Sequence, residues 1–127
     1  MTKYEFYNKW LAVFAFGIPE AKIRKHVRSI GNYIWHVFSW DLVSEDQYLV
    51  GEAAKRAYDE MEKQGSLYID WFGEGCVKDM PRDLNTAKAL DKYVEVYVVG
   101  KDFHWTYIKT HEDMCGPYFM KANNYVE

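Results

Sequence analysis

The sequence predicts an α+β domain, a four-stranded and mainly antiparallel sheet with three to four helices packed on one face. Three observations lead there. Residues 94–119 read VEVYVVGKDFHWTYIKTHEDMCGPYF, two extended runs joined through a Gly-Lys pair and followed by a polar elbow and an aromatic exit. Upstream, apolar residues recur every three to four positions between caps and glycines. Short runs rich in β-branched and aromatic residues lie between those helical stretches.

The elements follow in order. Thr2-Lys3-Tyr4-Glu5 is a capping box, in which the Thr hydroxyl and the Glu carboxylate answer each other's free amides. Phe6, Trp10, Val13 and Phe14 continue it at helical spacing, and the helix is expected to end before Gly17. Pro19 suits the first turn of a second helix that carries Ile23, Val27 and Ile30 and stops at Gly31. Residues 33–40 (YIWHVFSW) are apolar on both faces and short, which predicts a central strand. Residues 51–64 form the clearest helix, with Ala54, Ala57, Tyr58 and Met61 on one side, Glu52 in the first turn and Gly65 as stop. Residues 67–72 make a second strand, and Asn85 caps a short helix through Leu90.

The hairpin closes the series. With Gly100-Lys101 as a type II′ loop, Val99 pairs with Asp102, and Val98, Val96 and Val94 face Phe103, Trp105 and Tyr107 on the buried side. The other side carries Glu95, Tyr97, His104, Thr106 and Ile108, a mixed polar and aromatic surface open to a helix or a partner. Tyr118 and Phe119, beyond the last strand, either cover a core edge or join a binding surface.

A chain of 127 residues, 49% hydrophobic and 28% charged, has the size and core of one domain spanning 1–127, without repeats or a linker. Aromatic residues make up 18% of it, enough for some to serve a surface. A net charge of -3 argues against nucleic-acid binding, which needs a surplus of Lys and Arg, and suits a partner with a basic surface. The N-terminus lacks a signal architecture and no apolar run approaches the roughly 20 residues that span a bilayer, so a cytoplasmic, membrane-free protein is expected. Cys76 and Cys115 have no C-x-x-C spacing and are expected as thiols.

Chemistry concentrates at Thr110-His111-Glu112-Asp113, where an imidazole sits beside two carboxylates. If His36 converges on His111, these two with Glu112 could act as a general base or hold a metal ion. The adjacent His-Glu pair matches no established metal spacing, and the favoured expectation is that both satisfy backbone groups where the strand turns, with no metal and no cofactor. A Cys115-His111 pair is the sharpest nucleophilic alternative, and Ser39 lacks the glycines of a nucleophile elbow. Neither G-x-x-x-x-G-K-[ST] nor G-x-G-x-x-G occurs. The basic run Lys22, Arg24, Lys25, His26 and Arg28 reads as the solvent face of a helix.

The W-H-V-F-S of residues 35–39, the G-E-A-A of 51–54, the V-Y-V-V-G-K-D-F-H-W-T-Y-I-K-T-H-E of 96–112 and the G-P-Y-F of 116–119 together resemble a small bacterial family known only as a domain of unknown function. His104 departs from the small polar residue expected between Phe103 and Trp105. The resemblance implies a bacterial cytoplasmic protein and no particular activity. In style, though not in motif, the aromatic hairpin is similar to immunity proteins of bacterial toxin systems.

These readings favour a non-enzymatic interaction module whose binding surface includes Tyr97, His104, Thr106 and Tyr118, for example a neutraliser of a basic toxin. The alternative is a small enzyme or metal-dependent hydrolase using His36, His111 and Glu112. Exposure of Tyr97 and His104 with distant histidines favours the first; histidines gathered at one site favour the second.

Overall fold

In the computed structural model, which describes residues 1–73 and 75–122, the capping box closes as expected. Glu5 N–H donates to Thr2 Oγ1 and Thr2 N–H to Glu5 Oε1, each at 3.0 Å. Helix α1 (Lys3–Phe14) then buries Phe6, Tyr7, Trp10, Leu11 and Phe14. Helix α2 is only Glu20–Ile23 and widens into a π-helical segment, Arg24–Arg28. It buries Ile23 and Val27 but leaves Ile30 41% exposed, so the expected helix stops short of that third position.

Residues 33–40 are not a strand. They turn into helix α3 (His36–Ser39), and the reason lies in spacing. Ile34, Trp35, Val37 and Phe38 are buried while Ser39 and Trp40 are exposed, the i, i+1, i+3, i+4 pattern of a single helical face. Helix α4 (Glu52–Glu60) is shorter than residues 51–64 and buries Ala54 and Tyr58. Asn85 does not cap a helix; it ends a 3-10 turn, Arg82–Leu84, and Thr86 Oγ1 accepts from Ala89 N–H ahead of a second, Lys88–Lys92.

The sheet has six strands rather than four, ordered β1-β6-β5-β4-β2-β3, and every pairing is antiparallel. Strands β2 (Leu67–Asp70), β4 (Val96–Val99) and β5 (Trp105–Lys109) are those expected. The additions are β1 (Tyr48–Val50), β3 (Lys78–Asp79) and β6 (Tyr118–Lys121). The aromatic exit is therefore β6, an interior strand between β1 and β5.

The hairpin register differs by four residues. Val99 pairs with Thr106 and Val98 with Tyr107, because a 3-10 turn at Lys101–Phe103, with Asp102 and Phe103 at φ +57°, replaces the two-residue loop. Gly100 has an ordinary φ of -76°; its role is to leave room for the Trp105 indole, whose Nε1 would stand 2.1 Å from a Cβ. An even shift preserves facing, so Val96, Val98, Trp105 and Tyr107 still share one side.

Helices cover both faces of the sheet, not one. On the first, α1, α2 and α3 pack Phe6, Trp10, Phe14, Val27 and Phe38 against Ile69, Tyr97, Val99, Ile108, Tyr118 and Met120. On the second, α4 and the 3-10 turns pack Ala54, Tyr58, Leu84 and Leu90 against Val96, Val98, Trp105, Tyr107 and Phe119. The surface expected to stay open is thus interior, which is why all of β4 reads as a continuous apolar run. Thr106 survives there because its hydroxyl accepts from Trp10 Nε1–H and donates to Val98 O, both at 2.8 Å.

Candidate functional site

Glu95 directly precedes β4 and is fully buried, two residues before Tyr97 on the side that α3 covers. A carboxylate there costs several kcal/mol in lost hydration unless donors surround it. Four do. Oε1 accepts from His111 N–H at 3.0 Å, from Trp35 Nε1–H at 3.2 Å and from His111 Nδ1 at 2.6 Å. Oε2 accepts the Tyr97 hydroxyl in a short hydrogen bond. The backbone is held as well, since Trp71 N–H donates to Glu95 O at 3.0 Å. Burial, then the charge of Glu95, pushes the Tyr97 phenol well above its ordinary pKa and keeps it a donor.

With Nδ1 committed to Glu95, Nε2 is the His111 nitrogen that faces outward, 3.4 Å from Glu112 Oε1. The Glu112 side chain is 57% exposed and that of His111 26%. Tyr33, Trp35 and Phe72 wall the imidazole at ring separations of 4.8, 5.7 and 5.6 Å. His36 joins from α3, its ring tilted against Trp35 at 4.2 Å and Tyr33 at 6.0 Å, with Nδ1 3.0 Å from Ser39 Oγ. Burial lowers its pKa, opposed by Glu95 and reinforced by His111.

His36 and His111 therefore lie against the same two rings, Tyr33 and Trp35, with Glu112 beside His111, although a helical turn rather than a strand delivers His36. Among the described residues no three His, Cys, Asp or Glu side chains gather as a metal site. Cys115 turns elsewhere: its amide donates to Glu112 O at 3.0 Å, its carbonyl accepts from Thr110 Oγ1, and its thiol lies against the Tyr118 hydroxyl. Neither Cys76 nor Cys115 is in a disulfide.

The expected surface of Tyr97, His104, Thr106 and Tyr118 is not formed. Only His104 is exposed; the other three lie under α1, α2 and α3. In the basic run, Arg28 pairs with Glu20 at 2.7 Å and the His26 ring lies tilted against the half-exposed Trp40 at 4.9 Å.

Glu95 itself, the centre of the site, is read from the sequence only as part of the mixed polar side of the hairpin and not as a site residue; it is fully buried. Its signal is a lone charge inside V-E-V-Y-V-V, a strand apolar on both faces, where only a carboxylate with a full set of partners fits. Tyr33 and Phe72 carry no comparable signal.

The site can hold His111 rigidly, present its Nε2 beside the exposed carboxylate of Glu112, and offer the half-exposed Phe72 ring next to it. Among the described residues no helix is long and apolar enough to cross a membrane. No curated protein and no solved structure matches the chain. The resemblance carried by the hairpin string and the G-P-Y-F segment extends over residues 3–119, and the chain belongs to the family described as a domain of unknown function, DUF4275.

Proposed function

We propose that the chain is a non-enzymatic interaction module that docks a basic protein partner on the patch made by Tyr33, His36, Phe72, His111 and Glu112. The observation carrying the reading is a rigid aromatic wall, Phe72 51% exposed and 5.6 Å from His111, set beside the exposed Glu112 and Asp113. Lysine or arginine side chains suit such a place, since a ring face and a nearby carboxylate both attract a cation. Buried donors fix the wall from behind, so little ordering entropy is lost on docking. Neutralisation of a basic toxin is the most concrete version, in keeping with a net charge of -3.

The test is a paired titration. Phe72→Ala with Glu112→Gln should weaken binding to a basic partner captured by the wild-type chain at least tenfold while melting unchanged; unchanged affinity would remove the patch from the interface.

A second reading rests on one hydrogen bond, the 2.6 Å contact between buried Glu95 and His111 Nδ1, which is how a carboxylate orients a general base. The buried Tyr97 and the two histidines around shared rings favour this reading, yet it ranks second because the outward nitrogen faces another carboxylate, not a hydroxyl or thiol, and no three ligating side chains gather among the described residues. A turnover that His111→Gln abolishes in a folded protein would put it first.

A further inference from the structure

A cavity of about 500 Å³ opens between the start of α1 and the end of the π-helical segment. It is lined by Lys3, Tyr4, Tyr7, Arg28, Asn32 and Trp71, together with Gly31. Its lining holds two cations, three aromatic rings and one amide, and no carboxylate, in a chain whose acids outnumber its bases. Successive positive φ angles at Gly31 (+69°) and Asn32 (+59°) turn the chain back so that Asn32 reaches α1.

Each cation is held in place. Lys3 Nζ lies 4.0 Å above the Trp71 ring and donates to Trp71 O at 2.8 Å, leaving two of its three N–H groups. Arg28 lies 5.4 Å from the Tyr7 ring centre, donates through Nε to Glu20 at 2.7 Å and through a terminal nitrogen to the Tyr7 hydroxyl at 3.3 Å. That hydroxyl donates in turn to Asn32 Oδ1 at 3.1 Å, which leaves the Asn32 amide nitrogen as a donor. Glu20 offsets one of the two positive charges, and the remaining single charge is matched by a monoanion. Tyr4, 71% exposed at the rim, supplies the open apolar wall, and the buried Tyr7 and Trp71, their rings 6.4 Å apart, form the floor beneath the two cations.

We propose that this cavity is a binding site for a small aromatic monocarboxylate. The carboxylate takes the remaining donors of Lys3, Arg28 and Asn32, and its ring lies against Tyr4, over the floor of Tyr7 and Trp71. A volume of this size is ordinary for small-ligand sites, and preset cations lower the entropy lost on binding. The site shares no residue with the His111 patch and stands whether or not that patch docks a protein.

The experiment is a titration of the full ¹⁵N-labelled chain with 2-naphthoate, followed by the indole N–H of Trp71 and the side-chain amide of Asn32. Both signals should move saturably. The neutral isostere 2-naphthamide should bind about tenfold more weakly or less, since a hydrogen bond to a charged group is lost, and so should naphthoate to Arg28→Gln. Acetate at equal concentration should not displace naphthoate, because it has no ring. Lys3→Gln repeats the comparison if Arg28→Gln does not fold. Equal affinity for the amide, unchanged affinity in the folded variants, displacement by acetate, or no saturable shift at Trp71 would each overturn the assignment.

Discussion

Glu95 is fully buried and accepts four hydrogen bonds, so its removal strands more than it deletes. Glu95→Ala leaves the Trp35, Tyr97 and His111 donors without an acceptor, at about 1–3 kcal/mol for each group that stays dry. A total loss of roughly 3–5 kcal/mol is expected in urea unfolding, as for a buried pair deprived of one partner. Glu95→Gln should lose less, because its amide oxygen still accepts while its NH₂ meets a donor. Equal and small effects of the two changes would mean that the network contributes little. Gly100→Ala tests a different constraint, since its φ of -76° suits alanine and only the Trp105 indole stands in the way. Overpacking of that kind costs about 1–3 kcal/mol, read as a shift in urea midpoint at unchanged slope. The sequence disclosed the glycine as a turn residue and missed the close approach, because an indole crossing a backbone leaves no trace in spacing.

Among the elements, α1 keeps to its expected span more closely than the helix expected over 51–64, because its signals are local: a capping box, a periodic face and a glycine just beyond its end. Thr2→Ala should remove about 1 kcal/mol, measured by chemical denaturation, and Thr2→Ser should restore most of it. Elements whose identity depends on distant partners were harder to read. Residues 33–40 combine β-branched and aromatic residues, which favour strands, with a one-sided burial pattern that becomes apparent only once the sheet lies beneath them. Strand β1 has three residues and two exposed apolar side chains, Leu49 and Val50, so its pairing to β6 rather than its own sequence makes it a strand. The candidate site was legible in part. His36 and His111 do border the same rings, with Glu112 beside His111, yet Tyr97 and Thr106 were placed on an open surface because the alternation of a strand says which residues share a face and not what covers it.

At the scale of the whole molecule, a three-layer packing explains why so many phenols are interior. Burial raises the pKa of Tyr58, Tyr97, Tyr107 and Tyr118, so the folded state holds them neutral where the unfolded chain ionises near 10.0. A raised pKa contributes stability that is present below the unfolded value and is lost as pH climbs toward the folded one. Melting temperature should therefore fall steadily above about pH 10, with the share of tyrosinate absorbance that belongs to these four phenols appearing only in step with unfolding. His36 works in the opposite direction: its lowered pKa means that stability is present above 6.5 and declines as pH falls through the folded value. His36→Gln should flatten the acid limb of the melting profile relative to wild type; an unchanged acid limb would assign that loss to other groups. Two helical layers around one sheet also explain why composition suggested a spare aromatic surface. There are two cores to fill, and most of the rings fill them. The interior position of β6 carries a further consequence, for the order of assembly. Strand β1 gains its neighbour only when residues 118–121 arrive, long after 48–50 have left the ribosome, and Tyr118 is also what Phe38 and Tyr48 pack on. Until then β5 has one free edge and the layer over it has no floor there. Closing so long a loop for a short strand is slow, and a chain stalled before Tyr118 is expected to remain a sheet with a sticky open side, prone to self-association during synthesis.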